Sequence, residues 1–178
     1  MKNWLKKRLV AAFMFMLFNV HFAHSFEVAI DPVPFLLKGY SLHLAQTIGD
    51  KRFDIGVFKL EAGDDIHGND NFDMAFEGVG IKYDHLFNHD QGVFVGWELN
   101  VADVTYTHTK SKEVFERTVI TTAPRLGYRF VKDNNFTITP WLALDILLYD
   151  GNSVESDGDS FENEKVQLFP SIHFGYKF

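Results

Sequence analysis

The chain is 178 residues long and acidic, with 17 Lys and Arg against 24 Asp and Glu and a formal net charge of −7. That balance argues against nucleic acid as a partner, because phosphate binding needs clustered cations. There is no cysteine, which excludes disulfides, thiol catalysis and a lipid anchor on an N-terminal cysteine.

Lys2, Lys6, Lys7 and Arg8 precede an apolar run over residues 9–20, and Ala23-His24-Ser25 supplies small residues at the spacing a signal peptidase needs. Residues 1–25 therefore read as a cleaved secretory signal, leaving residues 26–178 as one domain. This leader removes basic groups and no acidic ones, so the remainder is more acidic still. No later segment approaches the length of a membrane helix. Any spanning structure must then be a closed barrel, the other way to satisfy backbone groups in lipid.

Residues 26–31 predict a short strand, stopped by Pro32 and Pro34. Over residues 37–48, Tyr40, Leu42, Leu44 and Ile48 share one face while Ser41, His43, Ala45 and Thr47 share the other. Gly49-Asp50-Lys51 makes a tight turn into a strand over 52–61, with Phe53, Ile55 and Val57 outward. An acidic loop over 61–72 follows. In residues 73–86, Met74 and Phe76 favour one face whereas Val79, Ile81 and Tyr83 favour the other, so a bulge is expected at Gly78-Val79-Gly80.

Residues 88–91 read as a turn. Val93, Val95, Trp97, Leu99 and Val101 then alternate with Phe94, Gly96, Glu98 and Asn100, with a shift of phase expected near Ala102-Asp103 before Val104 and Tyr106. A polar connection over 108–113 leads to residues 118–130, where Ile120, Thr122, Pro124, Leu126, Tyr128 and Phe130 oppose Thr121, Ala123, Arg125, Gly127 and Arg129. After a turn at 132–134, Phe136, Ile138, Pro140, Leu142, Leu144, Ile146 and Leu148 oppose Thr137, Thr139, Trp141, Ala143, Asp145 and Tyr149. Residues 150–164 form a second acidic loop.

In the last stretch, residues 164–178, Val166, Leu168, Pro170, Ile172, Phe174, Tyr176 and Phe178 occupy every second position, with Lys165, Gln167, Ser171, His173, Gly175 and Lys177 between them. About ten residues of tilted strand cross a bilayer, and this alternation runs longer. The stretch resembles the bacterial outer-membrane β-barrel proteins, whose last strand ends in a terminal aromatic preceded by alternating aromatics. The matching residues are Phe174, Tyr176 and Phe178. The small residue often found five places before the end is His173 here, with Gly175 two places later. The resemblance implies recognition of this strand by the barrel-assembly machinery, a location in the bacterial outer membrane, and lipid and lipopolysaccharide as surroundings.

Short turns alternate with longer polar loops, as periplasmic turns alternate with surface loops in such barrels. That parity makes the strand number even. The expected fold is all-β: an antiparallel up-and-down transmembrane barrel of about eight strands, monomeric, its interior filled by side chains. The expected lumen set is His43, Asp54, Glu98, Asn100, Arg125, Arg129, Asp145, Gln167 and His173. Arg125 and Arg129 should meet carboxylates such as Glu98, Asp145 or Glu77, because ionised groups in a narrow space must pair. Tyr128, Phe130 and Phe136 belong, with the three terminal aromatics, to an aromatic girdle.

No cofactor is expected. Asp64, Asp65 and Asp70, beside His67 and Asp73, offer oxygen ligands for a divalent cation, as do Glu155, Asp157, Asp159, Glu162 and Glu164, but neither loop has the EF-hand order and acidic runs are usually solvated. Three functions follow from the sequence. The first is a non-enzymatic barrel for envelope structure or surface-loop presentation. The second is a lipid-modifying enzyme acting by acyl transfer or deacylation on lipid A, with Ser171 and His173 as nucleophile and base, although the His-x-Ser-Asn order of the lipid A deacylases is absent. The third is lateral passage of small hydrophobic molecules where Pro124, Pro140 and Pro170 interrupt pairing.

Overall fold

The computed structural model describes residues 25–178. Its elements are β1 Ser25–Ile30, α1 Val33–Leu36, β2 Tyr40–Ile48, β3 Lys51–Ala62, α2 Asp64–His67, β4 Phe72–Asn88, β5 Gln91–His108, β6 Val114–Val131, β7 Phe136–Tyr149, β8 Val154–Ser156, β9 Asp159–Phe161 and β10 Val166–Lys177. All strands except β8 and β9 form one closed antiparallel ring in chain order, completed where β10 pairs with β1. This is the eight-stranded up-and-down barrel the alternation predicts. The expected leader lies outside the described residues, apart from Ser25, which opens β1. Among the described residues no helix is long and apolar enough to cross a membrane.

Three strand connections and both ends of the ring lie at one rim. The turns there are short, and Gly49, His89 and Asn135 take positive φ, the left-handed conformation that tight hairpins demand. Longer connections lie at the other rim and include α1, α2 and the β8–β9 hairpin. The two helices and the hairpin occupy stretches that read in the sequence as a proline break and two acidic loops.

On β4 and β5 the alternation is unbroken, and the register between them runs from Phe72↔His108 to Leu86↔Phe94. There is no bulge at residues 78–80. The irregularities fall instead between Leu86 and Asn88 and, on β6, between Ile120 and Thr121. Nor does β5 change phase near Ala102: Val104 and Tyr106 keep the inward parity of Glu98 and are buried. What changes along these strands is the environment. Towards the turn rim, β4 and β5 turn Val79, Ile81, Tyr83, Val93, Val95, Trp97, Leu99 and Val101 outward and Lys82, Asp84 and Glu98 inward. Towards the loop rim the same strands turn Asp73, Glu77, Asp103 and Thr107 outward and Phe72, Met74, Val104 and Tyr106 inward. The apolar outward band on β5 spans about nine residues, the length a tilted strand needs to cross a bilayer. Beyond it the barrel is built like a soluble protein.

The inner apolar cluster at the loop rim joins Ala62, Phe72, Met74, Ala102, Val104, Tyr106 and Val119 to Val154 and Phe161 of the β8–β9 hairpin, which closes over it. Hydrogen bonds pin the hairpin: Tyr106 to Asn163 at 3.0 Å, Ser156 to Glu113 at 2.9 Å, and Asp159 to both His108 at 3.2 Å and Lys110 at 3.3 Å. The bonds from His108 and Lys110 hold the Asp159 carboxyl below its ordinary range.

Candidate site in the barrel lumen

The lower lumen is a packed lattice of ion pairs. Arg52, on β3, lies 2.9 Å from Asp54, 3.2 Å from Asp84 and 3.5 Å from Glu27. Arg125 reaches Asp84 at 3.2 Å and Glu98 at 3.1 Å while its guanidinium lies over the Trp141 ring at 4.3 Å. Arg129 bonds Glu27 and the Asp90 carbonyl, and Thr137 donates to the other Glu27 oxygen at 3.0 Å. These groups are buried, so each charge depends on its partners.

Directly above lies a second polar chain. Ser41 and His43, two apart on β2, share the inward face; Asp54 enters from β3, where it sits opposite Ala45. The Ser41 hydroxyl bonds Nε2 of His43 at 2.8 Å and Nδ1 of His43 bonds Asp54 at 2.9 Å. The His43 ring stacks on His173 of β10, centroids 4.2 Å apart. Opposite His43 on β3 is Gly56, where a Cβ would stand 2.4 Å from the ring. Only glycine leaves that space.

Above this floor the lumen opens into a cavity of about 560 Å³. Its floor presents Ser41, His43, His173, Lys82, Trp141 and Asp145, and its walls combine an apolar side, with Phe58, Leu60, Met74, Phe76, Val119 and Phe169, with polar groups such as Asn100, Thr121, Asn163 and Gln167. A filled interior thus describes the lower lumen only. Four of the residues lining the cavity hold a buried polar atom without a hydrogen-bond partner in the protein: His67 Nε2, Trp141 Nε1, Asp145 Oδ1 and His173 Nδ1.

The wall beside this cavity is incomplete. Pro32 and Pro34 end β1, since proline cannot donate to a ladder, and β1 pairs with β10 only from Glu27↔Lys177 to Ile30↔Phe174. Over residues 166–173, β10 has β7 as its one strand neighbour among the described residues. The chain after β1 swings to the top of β3 instead, where the Leu37 carbonyl accepts from Glu61 N–H at 2.9 Å and Lys38 pairs with Glu61 at 3.2 Å. A lateral notch remains, bounded by β10, by α1 and, below, by the bond from Ser171 to Asp31. Phe169 lines the cavity from β10 and is nevertheless 38% exposed.

The residues singled out from the sequence are distributed as follows. Glu98 and Arg125 pair directly, Arg129 pairs with Glu27, and Asp145 borders the cavity beside them. Glu77 faces outward and is exposed, so it meets neither arginine. Ser171 does not pair with His173: it bonds Asp31, while His173 stacks on His43. Asp64 and Asp65 belong to α2, and Asp70 is exposed in the following loop. Among the described residues, three potential ligand atoms lie within 4.8 Å of one another at His43, Asp54 and His173, but Arg52 already occupies Asp54. Phe174 stacks on Phe136 at 6.2 Å, and Tyr176 meets Phe178 at 5.2 Å, all on the outer face at the turn rim. Sequence reasoning missed Ser41 and Asp54 as partners of one histidine. The signal was present in Ser41-Leu42-His43, two polar residues on the inward face of one strand.

No protein-family model matches the chain, and no curated protein matches it. Among solved structures, Neisserial surface protein A is similar at 14% identity and a TM-score of 0.54, covering 87% of this chain and 94% of that one. A major outer membrane protein from Thermus thermophilus aligns at 12% identity and a TM-score of 0.45, over 88% of this chain and 100% of the other. The β domain of the Bordetella autotransporter BrkA aligns at 9% identity and a TM-score of 0.36, over 87% and 98%. The first of these shows the fold.

Proposed function

We propose, from the premise that this chain folds as a small bacterial outer-membrane β-barrel, that it resides in the outer membrane with its loop rim at the cell surface. There it takes the apolar tail of an amphipathic molecule sideways from the outer leaflet into its upper lumen. One observation carries this: a cavity of about 560 Å³ with a largely aromatic and aliphatic side lies beside the stretch of β10 that, among the described residues, has a strand neighbour on one edge only. The volume falls within the roughly 300–1,000 Å³ of small-molecule sites. The apolar side of the cavity favours a tail by about 25 cal/mol per Å² removed from water, and the polar lining residues, among them Lys82, Asn100 and Gln167, suit a polar head. The ion-paired lower lumen acts as a plug, so passage straight through the barrel is not part of the function. Phe174, Tyr176 and Phe178 serve the assembly machinery.

The test uses cis-parinaric acid, a fluorescent polyene fatty acid, titrated into the purified barrel in micelles. Its emission should rise saturably with energy transfer from the barrel's tryptophans. In Ala102→Trp, which fills the cavity wall, affinity should fall at least tenfold while the heat-dependent gel shift of a closed barrel remains. Absence of saturable binding, or equal binding by Ala102→Trp, would overturn the proposal.

A further inference from the structure

The floor of the cavity holds a chemical arrangement that binding a tail does not require. An ionised Asp54 can only accept, so Nδ1 of His43 carries the proton and donates to it; a neutral His43 then offers the lone pair of Nε2 to the Ser41 hydroxyl, which donates. Arg52 lies 2.9 Å from Asp54 on the side away from the imidazole. Carboxylate, imidazole and hydroxyl stand in the order by which an orienting acid holds a base, and the base withdraws a proton from serine. From this geometry we infer that Ser41 is a nucleophile toward carboxylic esters whose apolar acyl chain occupies the upper lumen, with His43 as its general base and Asp54 as a positioning residue. The inference rests on the cavity function proposed above.

Four features bear on it. Ser41 and His43 line the cavity and Asp54 does not, which puts the reacting groups towards the substrate space and the orienting group behind them. The His43 ring is confined on several sides, by Asp54, by the stack on His173 and by the space that Gly56 leaves. Trp141 lines the same cavity, and its buried Nε1 has no partner in the protein, which leaves a donor for charge developing on a carbonyl oxygen. Phe58, Leu60, Phe76 and Val119 give the acyl chain an apolar surface to lie on. A hydrogen-bonded chain serving only to satisfy buried polar groups would need neither a place for Ser41 in the cavity lining nor an adjacent donor without a partner.

In the first step Ser41 Oγ bonds to the acyl carbon as its proton passes to His43 Nε2. The ester C–O bond breaks, and the leaving alkoxide departs as an alcohol with that proton. Water entering by the notch then attacks the acyl-serine, giving a proton to His43. The carboxylic acid leaves and Ser41 regains its proton. One ester and one water become one acid and one alcohol.

The full chain, purified from outer membranes into micelles, would be treated with a dodecyl fluorophosphonate and, separately, with diisopropyl fluorophosphate, and digested for mass spectrometry. One adduct per chain is expected, on the peptide containing Ser41, with loss of the adduct in Ser41→Ala. His43→Gln should label at least about 100-fold more slowly, the scale of a general base. Asp54→Asn should lower kcat for p-nitrophenyl laurate and leave KM unchanged, a split that a general loosening of the barrel would not produce. Should Asp54→Asn fail to fold, Ser41→Ala, which deletes one oxygen, still decides. If the wild-type chain binds parinaric acid but gains no adduct, or gains it on Ser171, the nucleophile is overturned and the cavity function stands. If it neither binds nor labels, both are overturned.

Discussion

Arg52→Ala should destabilise the barrel by about 3–5 kcal/mol, the cost of breaking a buried ion pair from one side. Arg52 is 1% exposed and lies within 3.5 Å of three carboxylates, those of Asp54, Asp84 and Glu27. Removing its guanidinium leaves negative charge facing negative charge where water cannot reach. Arg129 and Arg125 still serve Glu27 and Asp84, but Asp54 loses its guanidinium and keeps the His43 ring and the charge of Lys82 across the strand pair. The measurement is the urea dependence of folding into lipid vesicles, read by gel mobility. A loss within about 1 kcal/mol, the worth of an exposed pair, would mean that the lower lumen is wetter and looser than its geometry indicates.

Ile81→Arg should cost about 2–4 kcal/mol, whereas Ala75→Arg, on the same face of the same strand, should cost about 0–1 kcal/mol. Both side chains point outward from β4. Ile81 stands between Ile55 and Leu99 inside the apolar band, while Ala75 is flanked by Asp73 and Glu77 and pairs with Thr105 and Glu61, above the band. A cation at the first position is held in hydrocarbon; at the second it meets water and carboxylates. Equal costs at the two positions in the same vesicle assay would show that the outward band is not where lipid lies.

How the sequence encodes this barrel is clearest where expectation and structure part. Period-two alternation located the strands, because inward and outward faces differ in polarity throughout. It misleads at Gly78 and at Ala102, because polarity is not the sign of a face along the whole length of β4 and β5. Met74, Val104 and Tyr106 are apolar and inward; Lys82 and Glu98 are polar and also inward. The parity is constant and the surroundings invert, because these strands outrun the apolar outward band. A bulge or a phase shift was the economical explanation of that inversion in one dimension. The lumen floor was legible in part: the alternation put His43, Asp54, Glu98, Arg125 and Arg129 inside, but which charges meet depends on register between strands. Ser41-Leu42-His43 shows two polar groups on one face, while Asp54 reaches His43 only through the Ala45↔Asp54 pairing. The notch could not be read at all. Pro32 and Pro34 mark the end of β1, yet only the ring shows that its shortness leaves β10 bare beside a cavity.

The central claim, that the upper lumen receives an apolar tail from the membrane, is tested most directly by photolabelling in native outer-membrane vesicles with a diazirine-bearing palmitic acid. The labelled peptides should contain cavity residues such as Phe58, Phe76, Val119 and Phe169, and excess palmitate should suppress them. Labelling confined to outward residues such as Leu42, Ile81 and Leu126, unaffected by palmitate, would contradict it.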